Sequence, residues 1–193
     1  MLAASFPVFI VASTMVKAES SGPAFFSHER AGLGGKHFKV YKFRSMNEGA
    51  EQIEASLNDD ELESYYREFR LDNDPRVTKT GRFLRHTYLD ELPQLINIIQ
   101  GNMSMVGPRP ITEQELEFYS YDDRKRLLSV KPGLTGFWQV FGKNRATYQN
   151  GERMRMELFY ADHASLLLDM MIFLLTPASA LSSVMKRIRG KVR

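Results

Sequence analysis

Cysteine is absent from all 193 residues, so no disulfide closes a loop and no thiolate site holds a metal. Histidine is scarce. His28, His37, His86 and His163 stand too far apart for the short ligand spacings of a zinc site. A large excess of either charge is missing as well, because 26 basic residues meet 23 acidic ones and leave a net charge of only +3. That balance suits a phosphate or an anionic lipid surface without naming either, so the placement of the cations matters more than their sum. The uncharged N-terminal run, residues 2–16, is too short to span a bilayer: as a helix it reaches about 22 Å against a hydrocarbon core of about 30 Å. What is present, 43% hydrophobic and 25% charged residues, predicts one folded domain with a sizeable core and short appendages.

That N-terminal run, LAASFPVFIVASTMV, contains Pro7, which removes a backbone donor and kinks a helix, with Ser5 placed to satisfy a carbonyl freed there. A shallow or re-entrant membrane helix fits these facts. A buried core helix and a signal peptide are the alternatives; the second lacks a basic start before Leu2, although Val16-Lys17-Ala18 has a faintly cleavage-like pattern. At the other end, LLLDMMIFLLTP runs from Leu166 to Pro177 with one charge and is followed by Lys186, Arg187, Arg189, Lys191 and Arg193. An apolar run with a polybasic tail is the pattern of an interfacial helix on an anionic leaflet, with a solvated or nucleic-acid-binding tail as the alternative. Two apolar ends on one chain favour a membrane surface.

Between the ends, Gly22-Pro23 and Gly34-Gly35 are turn signals that bracket short extended segments. In KHFKVYKFRSM, period-two alternation puts Phe38, Val40, Lys42 and Arg44 on one strand face, so an apolar face becomes cationic at its end. Residues 47–70 read as one or two surface helices broken near Asn58, and Asn73-Asp74-Pro75 as a turn. Arg82 and Arg85, three apart, share a helical face, with Phe83 and Leu84 turned elsewhere.

In LDELPQLINIIQG, the recurrence of Leu89, Leu92, Leu95, Ile96 and Ile99 predicts a helix from about Asp90 to Gln100, ended by Gly101. Pro93 is tolerated only in a first turn, where amides have no intrahelical acceptor, so the helix is expected to start near Asp90. Asp90 and Glu91 then stand at the positive end of its dipole, which favours their ionised forms. An ionised aspartate is a competent nucleophile toward phosphorus, and an adjacent carboxylate is a suitable oxygen ligand for Mg²⁺; the plainer alternative is an N-cap followed by a first-turn acid. Further on, Pro108 and Pro110 hold Arg109 on a stiffened loop, and Thr112 with Glu115 forms a capping box. Such a guanidinium suits phosphate, though a structural arginine bridging the turn has the same sequence signature. Lys131 precedes a Pro-Gly turn, and Phe137-Trp138-Gln139-Val140 reads as a short strand whose tryptophan suits core filling, with lining a pocket as the alternative.

Taken together, KFRSM at 42–46, LDELPQLINIIQGNMSMVGPRP at 89–110 and KPGLTGFWQV at 131–140 resemble the bacterial sugar transferase family, the monotopic phosphoglycosyl transferases. The resemblance runs in collinear order from about Pro7 to Asp169. It implies an α/β fold, mainly helical with a few short strands, built as a small monotopic domain with interfacial amphipathic helices. Residues 1–20 would form the re-entrant membrane helix broken at Pro7, residues 21–165 the catalytic domain, and residues 166–193 an amphipathic helix with its basic tail. It further implies transfer of a sugar 1-phosphate from a UDP-sugar to undecaprenyl phosphate at the cytoplasmic face of the bacterial inner membrane, initiating exopolysaccharide, capsule, O-antigen or other glycan assembly. By resemblance Asp90 attacks phosphorus, expels UMP and forms a phosphosugar-aspartyl intermediate, while Glu91 holds Mg²⁺. Arg85 and Arg109 match family cations, and Lys42, Arg44 and Lys131 lie within matched motifs. Membrane lipid is an implied partner, a homodimer is compatible, and nucleic acid is not expected because the cations stand beside carboxylates. Four departures are visible: only six residues precede Pro7, Phe6 replaces the usual serine, Lys143 replaces the usual arginine, and the downstream aromatic stretch shrinks to MELFYADHASLLLD. The first limb of the membrane hairpin is therefore expected to be short. An inactive membrane-associated scaffold of the same fold is the alternative function.

Overall fold

The computed structural model describes residues 2–71, 73–142 and 145–190, with residues 2–5, 183 and 186–190 by backbone alone. The side chains of Ser5 and of the basic tail, and residue Lys143, thus lie outside the described residues. The fold is mostly helical, with four short strands in two two-stranded sheets among the described residues. The chain divides into two compact units, one of Met1–Ser27 and Tyr41–Leu95, the other of His28–Val40 and Ile96–Arg193. Strands β1 (Phe25–Ala31) and β2 (His37–Phe43) pair in one sheet, joined through a tight turn in which Gly34 and Gly35 both have positive φ.

The first unit is organised by α1 (Leu2–Glu19), which contains Pro7, and α4 (Lys79–Thr87). Ala12 and Val16, four apart on α1, bury against Leu84 of α4 and Phe43 of β2, with Phe9, Leu89 and Leu92 packed around them. The opposite side of α1 leaves Phe6, Ile10, Val11 and Met15 exposed. Two side chains tie off the end of α1. Arg44 is buried and donates to the carbonyls of Ser20 and Ser21, while the Glu19 carboxylate accepts the N–H groups of Lys79 and Thr80 at 2.8 and 2.6 Å. Those amides open α4, where a carboxylate is favoured by both orphan donors and dipole. The expected break near Asn58 is present: α2 (Ile53–Ser56) ends before it, and Asn58 with Glu61 forms a capping box that opens α3 (Asp59–Glu68). At the 73–75 turn, Asp74 receives a two-pronged bond from Arg76 at 2.9 and 2.7 Å, both side chains buried.

The second unit holds β3 (Ser104–Val106) and β4 (Gly133–Thr135), paired in parallel, with α6 (Glu113–Leu116), α7 (Tyr121–Leu127), α8 (Phe137–Phe141), α9 (Glu152–His163) and α10 (Leu166–Gly190). Its core joins Val106, Tyr160 and Ile172, with Phe137, Val140 and Leu168 against them. Segment 137–140 is thus helical rather than the expected strand. Gly136 is extended and the helix starts just after it, the Gly142 amide closes on the Trp138 carbonyl at 2.8 Å, and Phe137 meets Phe141 one turn on at 4.8 Å between centroids. Trp138 is buried, as a core residue should be. Much of α10 stays exposed and apolar, including Leu166, Leu167, Met170, Phe173, Leu174 and Leu181. Among the described residues no helix is long and apolar enough to cross a membrane.

Candidate active site

The Asp-Glu pair does not open a helix. α4 ends at Thr87, Tyr88 takes a left-handed conformation with φ 60°, and Leu89–Glu91 form a 3-10 turn closed by bonds from Glu91 N–H to the Tyr88 carbonyl and from Leu92 N–H to the Leu89 carbonyl. The helix itself, α5 (Gln94–Ile99), starts four residues later than the periodicity predicts, with Pro93 directly before it. Proline has no N–H for a helix interior but suits this junction. Gly101, with φ 78°, lies just beyond its end as expected, whereas Ile99 is exposed and Asn97 is fully buried, donating to the Lys39 carbonyl at 2.7 Å.

Tethering the dyad to a turn at the end of α4 changes its electrostatics. Asp90 is buried, with only 7% of its surface exposed. Burial pushes its carboxyl above the ordinary carboxylate value; Lys42 pulls it back, Glu91 adds to the push, and Arg85 pulls it back again. The counter-charges are therefore two side chains rather than a helix dipole. Lys42, on β2, reaches Glu91 with Nζ 2.8 Å from Oε1. Arg85, on α4, is aimed by a bond from Nε to Ser45 Oγ at 2.8 Å. Ser45 is a residue that pattern reading passes over: it sits inside KFRSM, is buried, and its carbonyl also accepts the Thr78 N–H at 3.1 Å. Gly81 of α4 lies against that same backbone, where a side chain would overlap Ser45.

Within the first unit, then, Lys42, Arg85, Asp90 and Glu91 come together, while Arg44 is engaged with the end of α1. Arg109 and Lys131 belong to the second unit, where Lys131 is exposed. Around Arg109 the predicted capping box is present, Thr112 Oγ1 accepting the Glu115 N–H and Glu115 accepting the Thr112 N–H, but α6 is a single turn. Glu115 also holds Arg30 at 2.6 Å and faces Arg153 at 3.6 Å. Burial opposes its charge, yet Arg109, Arg30 and Arg153 together keep it below its ordinary value.

Glu157 on α9 lies in the same buried cluster and accepts the Arg109 backbone N–H. Burial pushes it up to about 7, with Arg153 the strongest opposing charge. An acid whose folded value is raised binds its proton more tightly folded than unfolded. Its contribution to stability is therefore greatest at low pH and falls as pH rises from the unfolded carboxylate range to about 7. Denaturation of the unaltered protein and of Glu157→Gln between pH 4 and 8 should differ in slope, the glutamine variant being spared a loss of about 3 kcal/mol. Parallel curves would mean that Glu157 does not titrate there.

Mg²⁺ keeps several waters and takes one or two protein carboxylates, the rest of its shell coming from substrate phosphate. The hard oxygen donors of Asp90 and Glu91 match that demand, Glu91 being the less buried of the two. No group of three or more acidic or histidine ligands occurs among the described residues.

The chain belongs to the bacterial sugar transferase family, whose profile matches residues 1–183. It is 42% identical over 180 residues to the exopolysaccharide production protein ExoY of Rhizobium meliloti (strain 1021), covering 91% of this chain and 78% of that protein. It is 41% identical over 181 residues to the undecaprenyl-phosphate galactose phosphotransferase of Salmonella typhimurium, covering 89% of this chain and 37% of that one. Identity is 40% over 175 residues with the UDP-glucose:undecaprenyl-phosphate glucose-1-phosphate transferase of Klebsiella pneumoniae, covering 88% and 35%. The chain therefore spans little more than a third of those two longer relatives.

Proposed function

We propose that the protein is a phosphoglycosyl transferase that moves a sugar 1-phosphate from a UDP-sugar to undecaprenyl phosphate, initiating assembly of a bacterial surface glycan. The observation that carries this reading is a buried aspartate beside a Lys42–Glu91 ion pair of 2.8 Å, with the charges of Lys42 and Arg85 favouring its ionised form, in a chain of the sugar transferase family. The substrates named for the relatives from Salmonella and Klebsiella support this pair.

An Asp90 carboxylate oxygen attacks the sugar-bearing phosphorus, the bond to the UMP oxygen breaks, and the aspartyl-phosphosugar so formed is attacked in turn by the lipid phosphate, which regenerates Asp90. Lys42 and Arg85 favour the ionised nucleophile and the charged phosphoryl group, while Arg109 and Lys131, in the second unit, are further candidate phosphate-binding cations. Glu91, with Asp90 beside it, would hold Mg²⁺, which when bound supplies neutralisation of phosphate charge. Arg44 contributes by holding the end of α1. Exposed apolar residues on α1 and α10 support docking at the cytoplasmic face of the inner membrane, with α1 as a shallow re-entrant element; burying such faces in the interfacial region is favourable, and the soluble and lipid substrates meet there.

Purified protein in detergent with Mg²⁺, undecaprenyl phosphate and a panel of labelled UDP-sugars should pass label to lipid and release UMP. UDP release would mean ordinary glycosyl transfer and sink the aspartyl route. A complete lack of turnover across the panel would favour an inactive scaffold.

A further inference from the structure

The loop Pro108-Arg109-Pro110 has one main-chain donor, because proline has no N–H. That donor is the Arg109 amide, and it goes to Glu157, 3.3 Å from Oε1 and 3.2 Å from Oε2. Glu157 is almost wholly buried, at 2% exposure, and comes from α9, 48 residues further along the chain. Burying a carboxylate is costly unless charges and donors surround it, and here they do. Arg153, one turn earlier on α9, lies over the rings of Trp138 and Tyr148, 4.6 and 4.1 Å from their centroids, and is the strongest charge lowering Glu157.

The stretch leading into Arg109 is held by backbone alone. Gly107 donates to the Thr135 carbonyl at 2.9 Å, and the Pro108 carbonyl accepts the Gly133 N–H at 2.8 Å. Gly107, Gly133 and Gly136 approach so closely that a Cβ on any of them would overlap main-chain atoms of the facing segment. On the far side, the Ile111 carbonyl accepts the Ala31 N–H at 3.0 Å. Residues 107, 108 and 111 are therefore fixed by main-chain partners, and Arg109 is fixed through a side chain. Its amide bond to Glu157 sets the peptide plane from which the guanidinium departs.

The geometry points to Glu157 as a positioning residue for Arg109: by accepting the sole N–H of the Pro-Arg-Pro loop, it fixes the peptide plane from which that guanidinium reaches for phosphate. The inference rests on the transferase reading for the role of Arg109. The Arg109 charge also acts on Glu157, so the test pairs removal of the carboxylate with Glu157→Gln, which removes the charge and keeps the acceptor for the amide.

In a double-mutant cycle, Glu157→Leu should lower kcat/KM for the UDP-sugar roughly 10- to 100-fold, the scale of a small misplacement of a binding group. The same change in an Arg109→Ala background should cost less than about 2-fold, because no guanidinium remains to be aimed. Glu157→Gln, which keeps an acceptor for the amide, should restore most of the activity. If the losses instead multiply, with Glu157→Leu costing as much without Arg109 as with it, Glu157 is a core residue only and the positioning role is overturned. Should the leucine variant fail to fold, Glu157→Asp carries the same cycle, since it keeps the charge and withdraws the carboxylate by one methylene. Absence of turnover in the unaltered protein would sink the transferase reading alone. The cycle is then read in the affinity for UDP by calorimetry, where coupling supports the positioning role and independence overturns it.

Discussion

Asp90→Asn should eliminate UMP release, lowering kcat by on the order of 10⁴-fold or more, while leaving the fold intact. The substitution is nearly isosteric and removes a carboxyl that burial already disfavours in its charged form, so stability should hold or rise slightly. That combination separates a reacting group from a structural one. A residue that merely capped α5 could not have this profile, because Asp90 is not at the start of that helix. Incubation of the unaltered protein with UDP-sugar in the absence of lipid should further leave the sugar phosphate on the protein, detectable by intact mass, and the asparagine variant should carry none. Persistent turnover in Asp90→Asn would move the nucleophile elsewhere.

Gly81→Ala should destabilise the protein by about 3 kcal/mol or more, lowering Tm by roughly 10 °C. The sign is informative, because alanine within a helix ordinarily gains about 1 kcal/mol over glycine. Here the added methyl overlaps the carbonyl oxygen, carbonyl carbon and Cα of Ser45, and no rotamer can relieve a clash between backbone and Cβ. Either α4 tilts or the KFRSM segment withdraws, and both displace the Ser45 hydroxyl that aims Arg85. Thermal unfolding followed by circular dichroism measures the first effect, and kcat/KM of the surviving folded fraction the second. A Tm equal to that of the unaltered protein would show that the segment can give way without cost.

Local signals were readable where the chemistry is local. The boxes Asn58/Glu61 and Thr112/Glu115 are written in residues three apart, and both open helices. Periodicity misplaced the start of α5 because the 3-10 turn before it also carries leucines, and the left-handed Tyr88 that ends α4 leaves no mark in a hydrophobic pattern. FWQV looked like a strand from its aromatic and β-branched content, yet the flanking glycines and the Phe137–Phe141 pair favour one helical turn. Asp90 and Glu91 were visible as a pair, and Arg85 as a cation on a helical face, but Ser45 and Glu157 act across 40 and 48 residues. For Glu157 a trace existed: Arg153, Glu157, Tyr160 and Ala161 fall on the buried stripe of α9, and two charged residues on a core stripe call for partners.

The carboxylate of Glu19 joins the end of α1 to the first amides of α4, and α4 runs directly into the turn that bears Asp90. If α1 rests in a bilayer, its depth is set by the hydrophobic thickness of the host membrane, and this joint, together with the packing of Ala12 and Val16 on Leu84, would carry that depth to the turn bearing Asp90. Mismatch between α1 and the lipid would then be felt as a change in reach toward the headgroup phosphate. Acyl-chain length would thereby enter the proposed transfer as a variable.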